Sequence, residues 1–314
     1  MITEAPFVKV AVTAAAQPEA GAVARVLEQV AAALTAAECT RVRVAWIMAG
    51  NDSQQAIRVA PTLAELRHEV AHRWFFRLLD EGGLYMHFQP IVWLQRPEVL
   101  AHEALVRATH EGRELSGAEI VAVAAATQLV VPLDARTRIR AIEQFATSGL
   151  RSKVFVNFQP STIYNPRYCL RTTFTALERT GVPPEQVVFE VVESEDVADV
   201  AHLRRIIDLY RAHGLGIAMD DFGVGYSTHE RLLRLQLDYV KLDKSLCRDV
   251  ATNGAAQDVI AGILRVAGEA GCRVIAEGIE TVVQQTRLRE LGVELGQGYL
   301  YARPAAAPQV TWPV

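Results

Sequence analysis

Residues 216–223 read GIAMDDFG and residues 239–245 read YVKLDKS. Each is a short β-rich run that closes on carboxylates, Asp220 with Asp221 in the first and Asp243 in the second. Six runs of the same kind complete the pattern: YMHFQPIV (85–92), EVLAHEALVRA (98–108), KVFVNFQP (153–160), VVFEVVES (187–194), RVIAEGIE (273–280) and GQGYLYARP (296–304). Helical stretches lie between them; in residues 197–213, Leu203, Ile206, Ile207 and Tyr210 recur on one face. Eight strands alternating with helices over about 230 residues predict an α/β chain folded as a TIM-like (β/α)8 barrel. The rival, a Rossmann-like open sheet, lacks a GxGxxG after its first strand.

The 314 residues suffice for one such barrel plus an extension. No run reaches the roughly 18 uncharged apolar residues of a membrane span, and MITEAPFVKV lacks the basic start and apolar stretch of a secretion signal. The expectation is a cytoplasmic protein without a membrane partner. Cys39, Cys169, Cys247 and Cys272 are scattered without CxxC spacing, which predicts buried thiols rather than disulfides or a thiolate metal site. A formal charge of −4 argues against a broad basic surface and so against a nucleic-acid polymer as partner.

The first eighty residues read separately. FVKVAV and RVRVAWIM look like strands on either side of a helical stretch at about 19–37, so residues 1–61 are expected to form a small α/β segment in the manner of a βαβ unit. A helix linking it to the barrel is expected over residues 62–82, with Leu63, Leu66, Val70, Trp74 and Leu78 at helical spacing until DEGG stops it, and the barrel then occupies 83–314. Within that helix lies HEVAH (68–72), the zinc-peptidase spacing that puts two imidazoles on one helix face beside a glutamate. The nearest acid beyond DEGG, Glu98, belongs to a turn, and Arg67, His68, Glu69, His72 and Arg73 together read as an ordinary solvated helix face.

In the barrel region nearly every strand ends on an acid or an amide: Glu103, Asn157, Glu190 with Glu193, Asp220 with Asp221, Asp243, Glu277 with Glu280, and Gln297. A single acid after a strand is ordinarily a helix cap or a turn residue. The recurrence carries the signal, because in a parallel barrel all these ends meet on the face that holds the active site. So many carboxylates in one mouth repel one another unless cations sit among them. Oxygen donors without histidine or cysteine suit Mg²⁺ or Mn²⁺ better than zinc. Asp220 and Asp221 would point to opposite faces of a regular strand, but a strand end bending into glycines lets both serve one site, as two-metal phosphodiester chemistry requires. Lys241 is one of only four lysines and shares a strand face with Asp243 by period two, where it can steady developing phosphate charge.

From about Gly82 to Pro304 the chain resembles the EAL domain, the cyclic di-GMP phosphodiesterase family, on HFQPIV, EALVR, FVNFQP, FEVVES, DDFGVGYS, KLDKS, AEGIET and GQGYLYARP, in family order and spacing. The resemblance implies a metal-dependent hydrolase that opens one phosphodiester of cyclic di-GMP to give linear pGpG, in a barrel whose first strand runs antiparallel to the rest. It implies two Mg²⁺ or Mn²⁺ ions held by Glu103, Asn157, Glu190, Asp220 and Asp221 with Asp243 close to the second, and Ca²⁺ inhibiting by occupying the same sites. Glu277 and Lys241 would orient or activate the attacking water, and Glu193 would hold the loop of residues 222–227, which the resemblance ties to substrate binding and to a homodimer. Gln89, Arg107 and Gln297 resemble substrate contacts. Val192, Val224 and Ala108 depart from the family's usual residues without removing a ligand. The alternative is a receptor that binds cyclic di-GMP without hydrolysing it.

Overall fold

The computed structural model describes residues 20–42, 44, 61–192, 200–223, 232, 234–308 and 310–312, with the backbone alone for residues 20–24, 68, 69 and 192. The chain divides into two compact units, Met1–Gly82 with Val123–Gln128, and Gly83–Ala122 with Leu129–Val314.

In the first unit the helices Ala20–Ala32 and Leu63–Asp80 pack through Leu27, Ala31, Leu63 and the partly buried Val30, Leu66 and Val70, with Cys39 and Val42 closing the cluster. Leu63–Asp80 begins at a capping box: the Thr62 hydroxyl accepts from the Glu65 amide, and the Glu65 carboxylate accepts from the Thr62 amide. Arg67 reaches Glu28 through two nitrogens, at 3.0 and 2.8 Å, a half-exposed pair of modest energetic weight. HEVAH lies on this helix, and the side chains of His68 and Glu69 fall outside the described residues. Of the two strands expected here, FVKVAV lies outside the described residues and so does most of RVRVAWIM; the Val42 carbonyl accepts from Leu63, and the Val44 amide donates to Pro61.

The second unit is a closed barrel. Its strands are β1 Leu84–Trp93, β2 Val99–His110, β3 Arg113–Leu115, β4 Lys153–Phe158, β5 Val187–Val192, β6 Gly216–Phe222, β7 Tyr239–Leu242, β8 Arg273–Ala276 and β9 Leu295–Gly296. The sheet order is β1-β9-β8-β7-β6-β5-β4-β2-β3, and pairing of β1 with β2 closes eight strands. β1 is antiparallel to both its neighbours, whereas β2 and β4 through β9 run parallel. β3 was not foreseen: it folds back on the end of β2 through a two-residue turn, Glu111 and Gly112, both at positive φ, the conformation of a type I′ hairpin. Of the expected run GQGYLYARP only Gly296 enters the short β9, which begins one residue earlier at Leu295, since the later residues leave the sheet.

Period-two alternation sends one side-chain set outward and the other inward. Outward residues such as Val154, Val156, Phe189, Ile217, Met219, Val240 and Val274 share one core with the helices, among them Ile142, Phe145, Leu203, Ile206, Ile207 and Ile260. Inward, one residue from each of the eight strands forms a separate apolar plug: Ile91, Ala101, Phe155, Val188, Ala218, Tyr239, Ile275 and Leu295. Phe155 and Tyr239 meet there edge to face at 5.1 Å.

Because β9 is so short, β1 has few strand partners on that side, and unpaired backbone groups would be costly. Side chains and a loop supply them. Arg140 donates to the Leu84 carbonyl, Gln144 clamps both the amide and the carbonyl of Met86, and Ala305 exchanges two hydrogen bonds with Phe88. The helix Val130–Thr147, which provides Arg140 and Gln144, also carries the buried pair Asp134 and Arg138 at 3.0 Å. Asp134 additionally accepts from the Gln159 amide at 2.9 Å and the Thr162 hydroxyl at 2.8 Å, while Arg138 donates to Thr173 at 2.7 Å. This pins the turn that follows β4. No helix among the described residues is long and apolar enough to cross a membrane.

Removing one member of a buried ion pair strands the other. Asp134→Ala is therefore expected to lower unfolding stability by about 3–5 kcal/mol, read from the midpoint of a urea titration; a change within about 0.5 kcal/mol, the level of a surface substitution, would contradict the role assigned to this network.

Candidate active site

The site follows from the plug. Two residues further along each parallel strand, and two residues back along the antiparallel β1, the same inward parity delivers Gln89, Glu103, Asn157, Glu190, Asp220, Lys241, Glu277 and Gln297. All eight are polar, one per strand, so a layer of carboxylates, amides and one lysine rests directly on the apolar plug at the C-terminal end of the parallel strands.

Lys241 organises it. Its Nζ lies 2.5 Å from Glu277 Oε1, 3.1 Å from Glu190 Oε1, 3.2 Å from Glu103 Oε2 and 3.4 Å from Asp220 Oδ1. Its side chain is 1% exposed, so four carboxylates share one buried cation. The amides complete Glu103: Asn157 Nδ2 donates to Oε1 at 3.0 Å and Gln297 Nε2 to Oε2 at 2.8 Å. Gln297 Nε2 also donates to Gln89 Oε1 at 3.2 Å, and Gln89 donates onward to the Ala302 carbonyl. Gln297 is held by backbone bonds to Ala276 and Ile279, with no side chain at the neighbouring Gly298, where a Cβ would overlap the Ile279 backbone.

Asp221 enters by a backbone irregularity. The register between β6 and β7 shifts between Met219 and Phe222, and Asp221 takes φ +55°. The bend brings neighbouring carboxylates to one side, so that Asp220, Asp221 and Glu277 each offer an oxygen within 4.8 Å of the others. Glu103 and Glu190 meet this trio through Lys241. Asp243 caps the helix Lys244–Arg248, accepting from the Ser245 amide at 2.8 Å and from its hydroxyl, and its carboxylate joins burial and Asp220 in raising the Asp221 carboxyl. Arg107 stands apart from the layer: its Nη1 donates to the Val106 carbonyl, and its Nε lies 3.7 Å from Glu114 Oε1. Glu193, Val224 and most of the 222–227 loop lie outside the described residues.

The electrostatics show what the layer lacks. Burial pushes the Glu190 carboxyl well above the usual carboxylate range, the Lys241 charge offsetting only part of this while Glu103, Asp220 and Glu277 add to it. Burial likewise pushes Glu277 up to about 8 against the pull of Lys241. For Glu103 the burial penalty is outweighed by Lys241 and the bonds from Gln297 and Asn157, so its carboxyl stays below the usual range. Burial acts to discharge Lys241, but Asp220, Glu103, Glu190 and Glu277 hold it well above the ordinary lysine value. Glu190 is fully buried, yet neither oxygen receives a hydrogen bond, despite the 3.1 Å approach of Lys241. A buried, donor-free carboxylate among like charges calls for more positive charge than one ammonium supplies. All-oxygen donors of this kind fit hard divalent cations, with Glu103, Asn157, Glu190, Asp220 and Asp221 as the residues that would hold them.

Without added cation, Glu277 and Glu190 keep protons when folded that the unfolded chain releases near 4.5, so the contribution of Glu277 to stability falls as pH rises from there through about 8, and that of Glu190 falls in the same direction. The depressed Glu103 and Asp243 act oppositely, losing stability as pH falls below their unfolded values near 4.5 and 3.8. Chelator-treated protein is thus expected to melt at a lower temperature at pH 8 than at pH 6. Saturating Mn²⁺ should raise the melting temperature by about 5–10 °C, more at pH 8, because cations replace those protons. A melting temperature indifferent to Mn²⁺ at both pH values would remove the ion site.

The EAL domain family model matches residues 72–304. The chain is 32% identical over 231 residues to the cyclic di-GMP phosphodiesterase NbdA of Pseudomonas aeruginosa, covering 72% of this chain and 29% of that protein. It thus spans less than a third of that relative's length. The cyclic di-GMP-bound crystal structure of a standalone EAL protein from Vibrio cholerae O395 superposes with a TM-score of 0.66 at 35% identity, covering 73% of this chain and 95% of that one. The calcium and cyclic di-GMP complex of Klebsiella pneumoniae BlrP1 gives 0.68 at 25% identity, covering 95% and 74%. The barrel with its reversed first strand, the polar layer above the plug and these matches lead to one conclusion: this chain belongs to the EAL domain family.

Proposed function

We propose that the barrel hydrolyses cyclic di-GMP to linear pGpG with the help of Mg²⁺ or Mn²⁺, two ions per site. The observation that carries this reading is the quartet of carboxylates around the buried Lys241, an arrangement short of positive charge and beside amides able to grip a phosphate ester. The name of NbdA and the ligands in the Vibrio cholerae and BlrP1 structures support the dinucleotide as substrate. Divalent cations held by Glu103, Asn157, Glu190, Asp220 and Asp221 would supply Lewis-acid charge for the phosphodiester oxygens.

The protein's own groups account for the proton. With the proton that burial holds on Glu277 displaced by cations, its carboxylate stands beside Asp220 and Asp221 ready to accept a proton from water, and Lys241 at 2.5 Å fixes which oxygen is presented. As that proton moves to Glu277, the water oxygen forms a bond to phosphorus and the bond to the 3′ oxygen breaks in line; the leaving oxygen takes a proton from solvent, and Glu277 returns its own to solvent to restore the site. Lys241 stays charged throughout and offsets the negative charge that builds on the phosphoryl group. Gln89 and Gln297 would line the floor beside the reacting ester, and Arg107 would meet the second phosphate or a guanine edge. Asp243, fixed at the helix cap, adds negative charge beside Asp221 close to the second ion. Glu193 retains its proposed part in ordering the 222–227 loop, through which two barrels would pair as a homodimer acting in the cytoplasm.

Release of pGpG, followed by chromatography with Mn²⁺ or Mg²⁺ present, tests this directly; tight binding without product would assign the domain as a receptor instead. Glu103→Ala is expected to abolish turnover by removing an oxygen that no neighbour replaces. Glu277→Gln should lower kcat by about 10²–10⁴-fold while keeping cyclic di-GMP affinity within severalfold. Wild-type turnover in either variant would refute the corresponding role.

A further inference from the structure

The face that carries Gln89 and Glu103 does not stop at the barrel mouth. Beyond Ala104, the last position paired with β4, β2 runs on between β1 and β3 as a three-stranded flap. The register places Gln89 opposite Glu103, His87 opposite Leu105, Tyr85 opposite Arg107 and Thr109 opposite Glu114. Opposed residues share a face and alternate residues repeat it, so Tyr85, His87, Arg107 and Glu114 continue the inward face above the carboxylate layer. Arg107 stands four residues beyond Glu103, roughly 13 Å along the strand, within the span of a dinucleotide.

Glu114 is the hub of this strip. Its Oε2 accepts from the Tyr85 hydroxyl at 2.8 Å and lies 3.5 Å from His87 Nε2, and its Oε1 lies 3.7 Å from Arg107 Nε. The hairpin turn at Glu111 and Gly112 holds Glu114 at this height. At 3.7 Å the contact with Arg107 is too long for a hydrogen bond, so charge alone holds it. The carboxylate is 48% exposed and its Oε1, which faces Arg107, can swing toward solvent about the oxygen held by Tyr85, whereas the guanidinium side chain is 14% exposed and fixed by its bond to Val106. An anion offering closer oxygens to the guanidinium therefore displaces Glu114 rather than moving Arg107.

We propose that Glu114 is the resident counter-anion of Arg107, which an incoming phosphodiester has to outcompete, so that this residue sets how tightly the mouth takes a cyclic dinucleotide. The proposal rests on the reading that Arg107 meets cyclic di-GMP. Glu114 is then a positioning residue, acting through Arg107 and Tyr85 and outside the bond-breaking chemistry.

Glu114→Gln separates charge from tether, because the amide oxygen still accepts from Tyr85 while the negative charge is gone. Titration of the full chain with cyclic di-GMP in Ca²⁺ is expected to show Kd lowered about two- to fivefold, the range in which exposed charge pairs act, with a steeper loss of affinity on adding salt. Under Mn²⁺ the change falls on KM rather than kcat. Arg107→Ala weakens binding, and Glu114→Gln in that background has no further effect, the signature of a coupled pair. Weaker or unchanged binding by Glu114→Gln, with Arg107→Ala still impaired, overturns this proposal alone, as does the same gain in both backgrounds. Full affinity in Arg107→Ala, or no binding by the wild type, removes the assignment of Arg107 and the proposal together.

Discussion

One buried ammonium among four carboxylates is the constraint on which the rest depends. Lys241 sits within 3.4 Å of Glu103, Glu190, Asp220 and Glu277, side chains from four other strands. Taking these charges out of water is expensive, and one cation repays only part of it. The remainder is met by protons on Glu277 and Glu190 or by added cations, which is why a charge deficit, rather than a pocket's shape, defines this site. A closed barrel is what brings such distant strand positions to one lysine.

The apolar plug makes that gathering workable. Phe155, Val188, Ala218, Tyr239 and Ile275 fill the barrel one step below the polar layer, leaving Asn157, Glu190, Asp220, Lys241 and Glu277 no room to fold downward. Lys241 is 1% exposed and Glu190 is fully buried, so they face each other instead of water. The supports lie farther out. Asp134 grips the backbone two residues past Asn157, and Gln144 and Arg140 substitute for missing strand partners along β1. Rigidity at the floor contrasts with the flap above it, where Glu114 and Arg107 meet only through charge.

The division between floor and flap corresponds to two tasks in phosphodiester chemistry. The floor has to hold reacting groups at fixed separations, which suits strand interiors locked on both sides. The flap has to admit and release an anion, which suits a long, exchangeable ion pair. Asp221 stands between the two: a left-handed backbone bend lifts it from the regular alternation and lets it share a site with Asp220.

Much of this was legible in the chain of letters. Eight β-rich runs, nearly all with an acid or an amide at or near the end, are enough to expect a barrel and to gather Glu103, Asn157, Glu190, Asp220 and Glu277 at one mouth, because the ends of parallel strands meet there. Residues whose roles come from pairing were not. β3 is three residues long and has no hydrophobic period, so Glu114 reads in sequence as one more surface acid. Asp134 reads as a helical surface residue until Thr162 and the Gln159 amide close on it. Likewise, Asp243 offers the same signal as its neighbours, yet part of its carboxylate is committed to a helix cap. Sequence by itself determined which side chains face the barrel interior; only the tertiary structure decided which of them share a proton, an ion pair or a backbone amide, because those depend on distances between strands far apart along the chain.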